Sequence, residues 1–159
     1  MLYVIAVIVI ALDQLVKWEI ATHLAVNQSV VIIPRMLDLF YIRNHGAAFS
    51  MLIDQRVLLI VVSLLVMVAI IYVDRYYAKG KFDMKIALGL LFGGAAGNLI
   101  DRVHLGYVID YVYLQFIHFP VFNLADSAIV ISIFYLLIRF FVRKDTQNKN
   151  SDSRESPHE

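Results

Sequence analysis

The chain has 159 residues, of which 60% are hydrophobic and only 17% are charged, and its mean hydropathy is +0.72. A short soluble domain cannot bury so many apolar side chains, because its surface is large relative to its volume. A soluble monomer and a disordered chain are therefore excluded, and the net charge of +1 gives no reason to expect a nucleic-acid partner. The sequence contains no cysteine, which excludes disulfides, thiolate metal sites and a cysteine nucleophile.

Long apolar runs predict an all-α polytopic membrane protein with four transmembrane helices. The predicted spans cover about residues 1–24, 57–74, 85–103 and 121–142. Residues 1–144 are predicted to form a single domain, and the polar segment 145–159 is predicted to be a disordered cytoplasmic tail. The apolar stretch 1–12 lacks the basic start and cleavage site of a secretory signal, so we interpret it as part of a retained first helix.

Lysine and arginine are unevenly distributed between the two ends of the predicted spans. Nine lie in the loop between the second and third spans and at the C-terminal end, and four lie on the opposite side. The positive-inside rule therefore places the termini in the cytoplasm and the loops 25–56 and 104–120 outside. In the first outer loop, β-branched and aromatic residues at 30–33 and 37–42 predict a small extracytoplasmic β-sheet. The second loop is rich in tyrosine and phenylalanine, which favour the headgroup region, and is predicted to be a surface-lying aromatic loop.

Several polar side chains lie within the apolar spans, where they are costly and usually face the interior of a helix bundle. Asp13 and Lys17 are four residues apart on one helical face, which predicts an internal ion pair. Asn98, Asp101 and Arg102 share a face at the outer end of the third span. We interpret these three residues first as a clamp between helices and second as support for a site.

Two further carboxylates lie at the same predicted level of the membrane, Asp110 beyond the third span and Asp126 at the start of the fourth. An ion pair with Arg102 would give them a purely structural role. Alternatively, two aspartates at close range share one proton, because both cannot ionise together. The ionised aspartate then takes a proton from water while the protonated one polarises a carbonyl group, which is the chemistry of peptide hydrolysis.

Other functions have less support in the sequence. A zinc-binding His-Glu-x-x-His motif, a serine nucleophile elbow and a phosphate-binding loop are all missing, so no metal and no cofactor is predicted. A proton-coupled transporter is one alternative, since intramembrane charges also mark proton relays, although the chain shows no internal repeat. A non-catalytic membrane assembly factor is a second. An intramembrane aspartic protease of the presenilin or prepilin-peptidase type is a third, but its Gly-x-Gly-Asp motif is absent.

Five short motifs, in this order, resemble those of the bacterial lipoprotein signal peptidases (signal peptidase II), and the similarity covers nearly the whole chain. The motifs are Asp13-Gln14-x-x-Lys17, Asn44-x-Gly46-Ala47-Ala48-Phe49, Gly97-Asn98-x-x-Asp101-Arg102, Val108-x-Asp110 and Phe122-Asn123-x-Ala125-Asp126. Many members carry phenylalanine where this chain has Tyr111, so the aromatic ring is kept.

The resemblance implies an aspartic endopeptidase of the bacterial cytoplasmic (inner) membrane, with its active site at the outer face. Such enzymes remove signal peptides from prolipoproteins immediately before a diacylglyceryl-modified cysteine, and globomycin-type antibiotics inhibit them. The implied partners are therefore these prolipoproteins and membrane lipids. The resemblance implies a catalytic dyad of Asp110 and Asp126, site support from Asn44, Gly46, Ala47, Asn98, Arg102 and Asn123, and structural polar roles for Asp13, Lys17 and Asp101. The outer strands would cradle the substrate, and the aromatic loop would cover it.

Overall fold

The computed structural model describes the backbone of residues 1–46 and 51–155 and, within those ranges, the side chains up to residue 142. The described helices are α1 (Leu2–His23), α2 (Arg56–Tyr77), α3 (Phe82–His104) and α4 (Leu124–Glu155), and the strands are β1 (Ser29–Ile33), β2 (Leu37–Asn44) and β3 (Val108–Leu114). A short 3-10 helix, Gln115–Ile117, follows β3. Helix α3 packs against each of the other three helices, so it lies at the centre of the bundle.

Glycine in α3 allows α1 to pack closely against it. Glycine recurs at every fourth position, at Gly89, Gly93 and Gly97, a spacing that predicts close helix contact. A Cβ atom added at Gly93 would lie 2.7 Å from Cβ of Val9, and one added at Gly97 would lie 2.5 Å from a carboxylate oxygen of Asp13. Both distances are too short for a real side chain, so only glycine permits this approach.

Within the described part of the chain, three helices are long and apolar enough to cross a membrane, namely Arg56–Tyr77, Phe82–His104 and the Leu124–Val142 part of α4. Most side chains of α2 are exposed, including Val57, Leu65 and Val68, as expected for a helix that faces lipid. Helix α1, predicted as the first of four spans, is not among these three helices, because charged residues interrupt the apolar sequence of its second half.

The three strands form an antiparallel sheet in the order β1-β2-β3. The two strands predicted in the first outer loop are confirmed as β1 and β2. An irregularity in β2 lies between Leu39 and Ile42, and beyond it Ile42 is the partner of Asp110 in β3. This register brings the end of β2 next to one of the two aspartates singled out by the sequence.

The prediction of a surface-lying loop over residues 104–120 is wrong for residues 108–114, which form β3. This segment is rich in valine and tyrosine and pairs with β2. The ring of Tyr111 is buried in a cluster with Ile20, Tyr41 and Ile109. The aromatic residues of this segment therefore stabilise the sheet and its contact with α1. After the strand, Phe116 and Phe119 are exposed.

The last helix extends beyond its predicted end at about residue 142. Its backbone is helical to Glu155, in the segment whose polar composition predicts a disordered tail. Neither glycine nor proline occurs between residues 124 and 155, so nothing in the backbone chemistry interrupts the helical hydrogen-bond pattern there.

Replacing Gly93 by alanine is expected to lower the free energy of unfolding by about 1–3 kcal/mol, because the new methyl group overlaps Val9. Thermal unfolding in detergent measures the change. Val68→Ala, on the exposed side of α2, is the control and should leave the melting temperature nearly unchanged. If Gly93→Ala has the melting temperature of the wild type, α1 can move away from α3 without a loss of stability.

Candidate active site

The two aspartates singled out by the sequence lie on different elements and line the same cavity. Asp110 is in β3, and Asp126 is in the first turn of α4. The cavity has a volume of about 940 Å³, and its polar lining also includes Asn44, Asn98 and Arg102. The fold therefore brings together carboxylates and amides from four separate parts of the chain.

Asn123 contacts both carboxylates and is fully buried. It precedes α4, where its side-chain oxygen accepts the backbone N–H of Asp126 at 2.9 Å, and a carboxylate oxygen of Asp126 accepts the backbone N–H of Asn123 at 3.2 Å. This reciprocal pair is a capping box, which satisfies two N–H groups that a helix start leaves without partners. The amide nitrogen of Asn123 also donates to Asp110 at 2.7 Å, so one residue positions both aspartates.

Two more asparagines complete the hydrogen bonding of the aspartates. The amide nitrogen of Asn44, at the end of β2, donates to Asp110 at 2.8 Å. The amide nitrogen of Asn98, in α3, donates to Asp126 at 2.8 Å. Each carboxylate thus accepts at least two hydrogen bonds, and every donor is a neutral amide group.

The environment of Asp110 favours its protonated form. Burial and, next, the negative charge of Asp126 raise its pKa to about 7, against opposing hydrogen bonds from Asn44 and Asn123. A proton is therefore available on Asp110 near neutral pH. This is the behaviour expected of an aspartate pair that shares a proton.

Next to the two aspartates, a buried charge cluster consists of Asp13, Lys17 and Asp101. The Lys17 ammonium group lies 2.8 Å from Asp13 and 2.9 Å from Asp101, and it donates to the side-chain oxygen of Asn98 at 3.0 Å. The predicted ion pair of α1 is present. Asp101 and Asn98, predicted to act in a clamp between helices, both contact Lys17 and so join α3 to α1.

The charge cluster also holds the backbone directly before each site aspartate. Asp101 accepts the N–H of Ile109 at 3.1 Å, and Asp13 accepts the N–H of Ala125 at 3.1 Å. Gln14 adds hydrogen bonds to Asp101 at 2.9 Å and to a carbonyl oxygen of α3. The cluster therefore determines where β3 and α4 lie relative to α1 and α3.

Arg102 lines the cavity without forming an ion pair with any side chain that the structure describes. Its guanidinium group donates to the carbonyl oxygen of Gly46 at 3.2 Å and, at 3.5 Å, to that of Asn98. The structural alternative of an Arg102 ion pair with the two aspartates is thus not seen. Ala47, which the resemblance assigns to the site, lies outside the described residues.

Sequence reasoning assigned no site role to three contacts. The side chain of Gln14 belongs to the buried cluster, the hydroxyl of Tyr111 accepts the N–H of Leu124 at 3.2 Å, and Arg56 donates to two carbonyl oxygens at the end of α3. Gln14 was visible in the first motif as a polar residue beside Asp13. The other two contacts join distant segments and have no local signal.

Replacing Lys17 by alanine is expected to destabilise the protein by about 3–5 kcal/mol, because Asp13 and Asp101 would remain buried without a counter-charge. Thermal unfolding in detergent tests this, with the exposed Lys79→Ala as the matched control. If both variants melt at the wild-type temperature, the cluster is not a determinant of stability.

Comparison with known proteins connects this geometry to a family. Residues 5–142 match the family model of signal peptidase (SPase) II. A lipoprotein signal peptidase of Streptococcus agalactiae is 43% identical over 148 residues, covering 92% of this chain and 96% of the relative, and one of Bacillus velezensis is 38% identical over 138 residues, covering 86% and 90%. A solved structure described as a bacterial membrane enzyme has a TM-score of 0.86 and 34% identity, covering 98% of this chain and 93% of the other. These matches show that the chain belongs to the signal peptidase II family of aspartic endopeptidases.

Proposed function

We propose that this protein removes signal peptides from prolipoproteins, cutting immediately before a diacylglyceryl-modified cysteine. The observation that carries the proposal is that Asp110 and Asp126 line one cavity and that Asn123 contacts both carboxylates. Relatives over most of the chain are named lipoprotein signal peptidases, which supports this class of substrate.

In the proposed mechanism Asp110 starts protonated and Asp126 starts ionised. Asp126 takes a proton from water as the water oxygen attacks the peptide carbonyl carbon, and Asp110 gives its proton to the carbonyl oxygen. The tetrahedral intermediate collapses when Asp110 recovers that proton and Asp126 gives its proton to the leaving nitrogen. Both aspartates then return to their starting states. The positive charge of Arg102, in the cavity wall, stabilises the negative charge that develops on the carbonyl oxygen of the peptide bond.

The cavity offers a polar region and an apolar region, which suits a lipid-modified peptide. The two aspartates and Arg102 form the polar region, and residues 129–131 of α4 with Ile117 and Phe119 contribute to the apolar one. A cysteine anchored by acyl chains holds its peptide bond at a fixed depth in the membrane, and such orientation supplies a large part of catalysis. We expect globomycin-type antibiotics to bind in this cavity and inhibit the enzyme.

We infer that the protein is a multi-pass protein of the bacterial cytoplasmic (inner) membrane, with residues 1–144 as its peptidase domain. In this arrangement α1 is a fourth span, whose apolar side chains face lipid while its charges face the bundle: Val4 and Val7 are more than 60% exposed, whereas Asp13 and Lys17 are buried. The excess of lysine and arginine at one end supports cytoplasmic termini, with the cavity at the outer face.

Asp110→Asn and Asp126→Asn are each expected to lower the rate of prolipoprotein cleavage at least about a hundredfold, because each removes a group that transfers a proton. The assay uses purified protein, a diacylglyceryl-modified substrate and the same substrate without lipid. Asp74→Asn is the matched control, since Asp74 pairs with Lys85 away from the cavity. Continued turnover by either cavity variant would exclude the dyad mechanism. If the folded wild type does not cut, the transporter and the assembly factor become the leading candidates.

The pH dependence of cleavage should follow the shared proton. Because Asp110 must be protonated and its pKa is raised to about 7, kcat/KM is expected to fall as the pH rises through this region. The hydrogen bond from Asn44 lowers the pKa of Asp110, so Asn44→Ala should move the decline to higher pH. A pH–rate profile of both proteins tests the assignment. A decline that stays in place or moves to lower pH in the variant would contradict it.

A further inference from the structure

The segment that follows β3 forms one apolar wall of the cavity. Leu114, Ile117 and Phe119 line the cavity, and Phe116, which lies between them, is 59% exposed. The far end of the segment is held to β3, where the backbone of Phe122 exchanges hydrogen bonds with Val112 at 2.8 Å and 3.1 Å. Between the two ends, the N–H of Phe119 donates to the carbonyl oxygen of Leu114 at 3.3 Å, and the Phe119 ring packs edge-on against Phe122. The attachment of the near end, at Gln115, is therefore one of several contacts that set the position of the wall.

Gln115 attaches the near end of the wall to β2. Its amide nitrogen donates to a carboxylate oxygen of Asp38, and its backbone N–H donates to the carbonyl oxygen of Met36 at 3.0 Å. The hydroxyl of Ser29, in β1, donates to the same oxygen of Asp38 at 3.2 Å. Asp38 thus connects the wall to the sheet from the middle strand.

Asp38 is an unfavourable residue for the sheet itself. Asp38 is only 4% exposed. Among the residues that the structure describes, its second carboxylate oxygen has no hydrogen-bond partner and no cationic side chain forms a salt bridge with it. A buried polar atom without a partner lowers stability, so an apolar side chain would suit this position at least as well. Stability alone therefore does not explain an aspartate at this position, whereas the contact with Gln115 does.

We propose that Asp38, through Gln115, is a positioning residue that holds the apolar wall in place and so determines which apolar groups the cavity accepts. This inference rests on the proposed function, in which the acyl chains of the substrate are apolar groups near the cavity. Loss of the Asp38 contact would leave the near end held by the backbone hydrogen bond to Met36 alone, so residues 115–119 would move more. This movement alters the fit of acyl chains and leaves the aspartates in place.

The attachment can be measured without any substrate. Because the chain has no cysteine, Phe116→Cys introduces one unique site for a nitroxide spin label. Gln115→Ala is expected to make this label clearly more mobile, whereas Asp38→Asn, which keeps an oxygen that accepts the Gln115 hydrogen bond, should not. A label at Val68→Cys, on the exposed side of α2 and away from Asp38, is the control and should be unaffected. Equal mobility at position 116 in the wild-type and Gln115→Ala backgrounds overturns the proposal, whether or not the protein cleaves prolipoproteins.

Cleavage kinetics then test the effect on specificity. For a diacylglyceryl-modified substrate, Gln115→Ala is expected to raise KM about three- to tenfold with little change in kcat, and to change the ratio of kcat/KM between long and short acyl chains. Asp38→Asn should keep both values at the wild-type level. Ser29→Ala, which removes a hydrogen bond that does not reach the wall, should leave the ratio unchanged. If the label shows that the wall of Gln115→Ala is mobile but the ratio of kcat/KM between long and short acyl chains is unchanged, the role in specificity is overturned. A wild type that does not cleave contradicts the proposed function and leaves the spin-label result to decide the attachment.

Discussion

The ammonium group of Lys17 lies between the carboxylates of Asp13 and Asp101, at 2.8 Å and 2.9 Å, and is almost completely buried. Three charges in an apolar bundle are costly unless each is paired and hydrogen-bonded. Here all four carboxylate oxygens have partners, and two of those partners are the backbone N–H groups of Ile109 and Ala125. Because these charges need partners, they constrain the positions of segments outside α1 and α3, the two helices that carry them.

Ile109 and Ala125 directly precede Asp110 and Asp126. The same cluster that makes a charged first helix tolerable thus holds β3 and the start of α4 at the positions where their carboxylates meet. Asn98 extends this connection, because its oxygen accepts from Lys17 while its nitrogen donates to Asp126. Stability and the geometry of the site depend on one hydrogen-bond network. A change in the cluster should therefore affect both.

The helices and the site aspartates can be predicted from the sequence, because charged and amide side chains are conspicuous against long apolar runs. The third strand cannot, since its tyrosines have the composition of a segment at a membrane surface and its partner strand is far away along the chain. The same limit applies to Asp38 and Gln115, which are ordinary polar residues in predicted outer segments. Local patterns indicate which residues are costly to bury, but only the tertiary fold determines which distant group offsets that cost.

The choice of neutral donors around the aspartates has a chemical consequence. Asn44, Asn98 and Asn123 contact the carboxylates, while the nearest ammonium group, that of Lys17, is one hydrogen bond further away. A cation in direct contact would favour the ionised form of both carboxylates and would remove the shared proton. Burial and, next, the charge of its partner aspartate instead raise the pKa of Asp110 to about 7. Amide donors thus maintain the geometry and leave a proton that can be transferred near neutral pH, which is the property that hydrolysis by an aspartate pair requires.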